Sequence, residues 1–196
     1  MENYRLEGKT FVIDDYDRLP AFSSFLPGLA GVKGIPMWTF YTNRGQGMNS
    51  FGIDNKGNAI MEFNSANTAF ENTTVKGFRT FLKIDGEYYE PFFKYEKEAK
   101  RQIRMNKNSF KIIETNEKYG IEVTVNYFIL PNESIGALVR QVSVKNISDS
   151  AKDIEVIDGL PKIITYGISN GEFKEMSNLF KSWAYIKNID NKVPYY

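Results

Sequence analysis

A mainly β fold, an antiparallel β-sandwich with one or two short helices, is predicted by three features of the sequence. Apolar stretches of strand length recur along it, Gly, Pro and Asn punctuate them at short intervals, and helical periodicity is scarce. The most legible strand is Ile121–Ile129, where Ile121, Val123, Val125, Tyr127 and Ile129 alternate with Glu122, Thr124, Asn126 and Phe128. A period of two puts one β-branched, apolar face toward a core. Pro131 and Asn132 supply turn chemistry, and residues 135–144 resume as a strand, so the two read as a hairpin.

After the polar cluster at residues 146–150, residues 153–157 and then 162–166 read as further strands, continuing an antiparallel meander across Gly159 and Pro161. Upstream, residues 10–13, 38–42, 59–63, 78–84 and 109–114 have the same length and the same breaks. Asp85-Gly86 is a hairpin turn signal. One helix is expected over residues 172–180, where Phe173, Met176, Leu179 and Phe180 share a face. Residues 183–189 read as a last strand, and residues 191–196 leave aromatic side chains without a closing element. The sandwich is therefore expected to be incomplete at its carboxy-terminal side. No repeat or low-complexity linker divides residues 1–196, which read as a single amino-terminal sandwich domain.

Composition narrows the function classes. The 196 residues include 42% hydrophobic and 25% charged residues, and the 25 basic and 24 acidic side chains leave a net charge of +1. That balance creates no field for nucleic acid or anionic lipid, and neither is expected as a partner. The basic run 97–107 reads as a solvated face. Cysteine and histidine are both absent, which excludes disulfides, Cys/His zinc sites and a Ser-His-Asp triad formed within these residues. No cofactor and no metal ligand is expected. The amino-terminal residues 1–17 lack the apolar stretch of a signal peptide, and a cytoplasmic location is the reading.

Residues 20–83 concentrate glycines, amides and aromatic side chains. Amides and carboxylates match sugar hydroxyls, and aromatic faces cover the C–H side of a sugar ring. In Thr42-Asn43-Arg44-Gly45-Gln46-Gly47 the glycines permit a tight turn or a close ligand approach, and both readings stand. Asn67, Glu71 and Asn72 line a groove in one reading and end strands or cap a short helix in the other. Trp38 and Trp183 sit in apolar contexts that favour core packing. The acids Asp14, Asp15, Asp17, Glu87 and Glu90 read as solvated turn residues, so no catalytic residue is named.

The strings FSSFLPGLAG, IPMWTFYTNRGQG, GNAIMEFNSANTAFENT and KGFRTFL resemble the amino-terminal region of β-1,2-oligoglucan phosphorylases, cellobiose phosphorylase-like enzymes of glycoside hydrolase family 94. The resemblance implies a supersandwich of the galactose mutarotase type, followed in the family by a helical linker and an (α/α)6 barrel. There a barrel Asp acts as general acid, and inorganic phosphate, the co-substrate, attacks the anomeric carbon with inversion. Neither that Asp nor the barrel's phosphate site has a counterpart in these residues. What carries over is a supporting role: packing on the catalytic barrel, homodimer contacts and loops lent to a β-1,2-glucan cleft. Asn43, Arg44, Gln46, Asn67, Glu71 and Asn72 are the candidate substrate-binding residues. The competing expectations are a free-standing carbohydrate-binding module and a protein that pairs through open sheet edges. A mutarotase-like enzyme ranks last, since such catalysts depend on histidine.

Overall fold

The computed structural model describes residues 3–183, 185, 187–191 and 193. Its elements, in chain order, are β1 (Tyr4–Glu7), β2 (Thr10–Asp14), β3 (Ser23–Ala30), β4 (Ile35–Thr42), β5 (Met48–Ile53), β6 (Ala59–Met61), α1 (Ala66–Lys76), β7 (Arg79–Ile84), β8 (Glu87–Tyr89), β9 (Ala99–Met105), β10 (Ser109–Asn116), β11 (Ile121–Ile129), β12 (Leu138–Asn146), β13 (Ile154–Gly159) and α2 (Asn170–Trp183). They form three antiparallel sheets: a large one in the order β1-β2-β9-β10-β11-β12, a four-stranded one β3-β4-β5-β6, and a small one β13-β7-β8. The mainly β sandwich expected from the sequence is what forms.

The alternation in β11 does what its period predicts. Ile121, Val123, Val125 and Tyr127 are all fully buried, and Phe110 and Ile112 of β10 join them on the same face. Each such side chain withdrawn from water contributes about 2 kcal/mol toward holding the sheets together. One core cluster draws Leu26, Tyr41 and Met48 from the four-stranded sheet, Leu82, Ile84 and Tyr89 from the small sheet, and the rest chiefly from the large sheet. Tyr41 stacks on Phe110 with ring centroids 4.4 Å apart. The turn between β4 and β5 sits so close to that stack that a Cβ on Gly47, which has φ +79°, would lie 2.4 Å from Phe110 Cε1. Only glycine fits there.

Several expected elements form with shifted ends. The hairpin β11–β12 pairs Ile129 with Leu138 and Ile121 with Asn146, and Asp85-Gly86 closes β7–β8 with positive φ at both residues. The helix begins earlier than expected, because Ser169 and Glu172 form a reciprocal capping box. Ser169 Oγ accepts from Glu172 N–H at 3.2 Å, and the Glu172 carboxylate accepts from Ser169 N–H at 2.8 Å.

Other expectations are corrected. β13 does not extend the meander beside β12; it crosses to the small sheet and pairs antiparallel with β7. Asp85 and Asp153 fix that crossing, since Asp85 N–H donates to Asp153 O and Asp153 N–H donates to Asp85 Oδ1, both at 2.9 Å. Residues 162–165 form no strand. They meet the edge of β6 through one bond, Ile164 N–H to Ile60 O at 2.8 Å, before a turn at Tyr166-Gly167. The last expected strand, 183–189, also fails: Trp183 ends α2 and Ile189 lies in a turn, while residues 184 and 186 are outside the described residues. Trp183 is 60% exposed rather than packed in a core, whereas Trp38 is half-buried and meets Phe63 edge-on at 5.4 Å.

The basic run 97–107 is not a solvated face either. It contains β9, and the Arg101 side chain is 4% exposed against a Glu114 side chain at 0%. Arg101 Nε donates to Glu114 Oε2 at 2.6 Å, directly across the β9–β10 ladder, and Arg101 Nη1 donates to Asp17 Oδ2 at 2.7 Å. Glu114 also accepts from Phe92 N–H at 2.7 Å and from the Tyr89 hydroxyl. Burial works against the Arg101 charge, but Glu114, Tyr16 and Asp17 outweigh it and hold the guanidinium above its ordinary pKa. Removing one member strands the other's charge in the core. Arg101→Met is therefore expected to lower unfolding stability by about 3–5 kcal/mol in urea titrations, whereas Lys100→Met, at an exposed pair with Glu117, changes little. Equal, small losses for both would contradict this reading of Arg101.

Candidate functional site

The turn from Thr42 to Gly47 is a tight bulged connection between β4 and β5, in which Thr42 N–H donates to Gly47 O at 2.8 Å and Gly47 N–H to Arg44 O at 2.9 Å. Its polar side chains face the protein. Asn43, fully buried, accepts from Phe22 N–H at 3.0 Å and donates to Tyr16 O at 2.9 Å and Pro20 O at 3.0 Å. Arg44 donates to Asn43 O and Leu19 O and lies 4.8 Å from the Phe70 ring centroid. Gln46 donates to Thr80 Oγ1 at 2.9 Å and accepts from Arg140. The structure thus brings Asn43, Arg44 and Gln46 together, with their hydrogen-bonding groups directed to the chain's own backbone and to a buried network.

That network joins all three sheets. Arg140 on β12 reaches Tyr127 Oη at 3.2 Å, Thr80 Oγ1 at 3.1 Å and Asp158 Oδ1 at 2.9 Å, while Thr80 Oγ1 donates to Asp158 Oδ1 at 2.6 Å. Burial raises the Tyr127 phenol to about 12, against a smaller opposing pull from Arg140. Three of the acids expected to be solvated are held in similar fashion. Asp14 accepts from Gln102 Nε2 at 2.7 Å, Asp17 from Arg101, and Glu90 forms a two-point pair with Arg79 at 2.6 and 2.8 Å. The pairing of Asp17 and Glu90 with arginines, and of Asp14 with Gln102 and Arg5, corrects the reading of these three as free turn residues; Glu87 is exposed as expected.

Asn67, Glu71 and Asn72 all lie on α1, not in a strand-ending loop. Residues 67 and 71 are four apart and share an exposed face; residue 72 is about 100° further round. Asn72 consequently lines a different surface, a groove of ≈ 710 Å³ walled by α1, β6 and its continuation, residues 161–165 and the start of α2. Asn49, Glu62, Asn64, Lys76 and Lys162 supply its other polar side chains, and Met61, Val75, Ile163, Ile164 and Phe173 its apolar ones. Asn170, at the start of α2, accepts from Phe63 N–H at 2.9 Å and ties that helix to the stretch after β6. Below the groove, Ile164, Phe173 and Ala59 form a small second core. The sequence reading missed every groove residue but Asn72, because they come from five separate stretches. One signal was present: Asn49, a poor strand former, sits inside β5.

A smaller hollow of ≈ 380 Å³ wraps the free edge of β8 and is lined by Phe81, Tyr88, Phe93 and Tyr119 among others. Its carboxylates are engaged, Glu90 by Arg79 and Glu96 by Asn116 Nδ2 at 2.9 Å. Compared with known proteins, the chain matches no family model and no curated sequence.

The buried phenols make the fold sensitive to alkali. Tyr127 has a folded-state pKa of about 12 against an unfolded value near 10.0, so between those pH values the folded state holds a proton that the unfolded state releases. Stability then falls as pH rises through that window. Thermal melts are expected to show a decline above about pH 10 that is shallower in Tyr127→Phe; identical profiles would contradict the assignment.

Proposed function

We propose that this chain is a non-catalytic carbohydrate-handling domain, the amino-terminal β-sandwich of an inverting β-1,2-oligoglucan phosphorylase, which packs against an (α/α)6 catalytic barrel. The observation that carries the reading is the surface of α2. α2 is kinked at Met176, whose backbone is not helical, and beyond the kink Leu179, Phe180 and Trp183 recur at helical spacing on one apolar stripe, yet Leu179 is 44% and Trp183 60% exposed. An apolar stripe bared along a surface helix suits burial against another helical unit. Ile163 and Tyr166, in the segment just before α2, are exposed as well.

The resemblance of residues 22–31, 35–47, 57–73 and 76–82 to the family's amino-terminal region supplies the partner, and with it homodimer contacts and a phosphate-using reaction performed on the barrel. The internal use of Asn43, Arg44 and Gln46 fits a scaffolding role: their bonds shape the turn that meets α1, and they act on a glucan cleft by holding that turn. Among the described residues no helix is long and apolar enough to cross a membrane. A free-standing carbohydrate-binding module is the second reading, favoured by the amide-lined groove beside α1.

Mixing experiments test the first reading. The chain with β-1,2-oligoglucan and inorganic phosphate is expected to release no glucose 1-phosphate, and to bind the family's barrel domain in analytical ultracentrifugation. Leu179→Glu, at a position whose exposure spares the sandwich, is expected to weaken that association about tenfold or more, since the charge would be buried unpaired. Turnover by the chain alone, or association unchanged by Leu179→Glu, would count against it.

A further inference from the structure

The groove beside α1 contains a polar atom that the fold itself does not use. Asn49 is 3% exposed, and its Nδ2 donates to Thr73 Oγ1 at 3.2 Å and Ala69 O at 3.4 Å. Its Oδ1 meets no donor among the described residues. The groove wall shields this atom from solvent, and a buried acceptor left in that condition costs about 1–3 kcal/mol, recovered by a donor that a small shift of the wall admits. Two more carboxamides stand on the same walls. Asn64 donates to Glu62 O at 3.3 Å, leaving its Oδ1 outside that bond, and Asn72 points no side-chain hydrogen bond at another described residue.

The rest of the lining narrows the ligand. Glu62 and Lys162 pair at 3.5 Å across the groove, so their charges largely cancel, and a strongly charged ligand gains little from them. Carboxamides both donate and accept, which matches hydroxyl groups that do the same. Val75 and Ile163, each 50% exposed, present apolar surface beside those amides. The volume of ≈ 710 Å³ falls within the range of small-molecule sites. A ligand with hydroxyls on its edges and C–H groups on its faces satisfies the amide and apolar walls at once, and Lys76, the lining cation outside the Glu62–Lys162 pair, can donate to a hydroxyl as well.

We propose that this groove binds a neutral oligosaccharide, with a sugar hydroxyl donating to Asn49 Oδ1, neighbouring hydroxyls bonded by Asn64 and Asn72, and a ring face laid on Val75 and Ile163. The inference rests on the reading above only in the choice of a β-1,2-linked probe. The site belongs to this chain alone and requires no barrel. It differs from the hollow at β8, whose carboxylates already have partners.

Titration of the isotope-labelled chain with sophorotriose and, separately, cellotriose tests it through backbone amide shifts. Shifts are expected at residues 61–64, 72–76 and 162–165, saturating at millimolar sugar. Asn72→Ala, on a half-buried helix position, is expected to weaken binding about fivefold, the worth of one hydrogen bond. Tyr88→Ala, at the β8 hollow, is expected to leave it unchanged. No shift in the groove with either sugar, shifts confined to β8, or an affinity unaffected by Asn72→Ala overturns the proposal. A response to cellotriose without one to sophorotriose supports the groove and counts against the β-1,2-glucan phosphorylase reading.

Discussion

The salt bridge between Arg101 and Glu114 is the constraint around which the sandwich is arranged. Two opposite charges lie opposite one another on neighbouring strands, and neither reaches water. The desolvation cost of such a pair is offset only when every remaining lone pair and N–H finds a partner. The surroundings meet that demand from distant parts of the chain: Asp17 in the 3-10 turn Tyr16–Arg18, Lys94 O, Phe92 N–H and the Tyr89 hydroxyl all converge on it. Phe92 takes a left-handed backbone with φ +66° so that its N–H reaches Glu114 while its ring is buried in the core. The pair therefore places the β9–β10 register, the turn after β8 and the link between β2 and β3 together.

A second polar junction closes the other side. Arg140, Asp158, Thr80 and Gln46 join the large sheet, both long strands of the small sheet and the β4–β5 turn. Asp158 on β13 accepts from both Thr80 and Arg140, which ties β13 to the large sheet as well as to β7. With the acids and the arginines of these networks committed to holding sheets, the groove beside α1 keeps carboxamide groups that these networks do not use. Ionic networks thus lie inside the sandwich, and amides and exposed apolar side chains lie beside the helices.

What the sequence made legible follows the range of the interactions. β11, β10, the β7–β8 hairpin and most of α2 are written in local periodicity and turn chemistry, and they form nearly as read. The fate of Arg101 and Asp17 is not local. They are 84 residues apart, and their charges look like solvated surface until the fold brings them together. α1 escaped notice because its sequence, ANTAFENTTVK, is poor in strong helix formers and is held by packing on β4 and β5. The stretch 162–166 has strand propensity, but its one bond to β6 is not a ladder. Among the candidate binding residues, Asn72 alone reaches the groove; the sequence offers Asn43, Arg44 and Gln46 as a ligand-binding turn, and only three dimensions reveal that their partners lie inside the protein.

Native-state hydrogen exchange measures the central claim most directly. If the buried ion pair anchors the sandwich, the amides of β9, β10 and Phe92 exchange only through global unfolding, while those of residues 161–168 and α2 open at much lower free energy. Amides around Arg101 and Glu114 that exchange as readily as those of α2 would contradict the account.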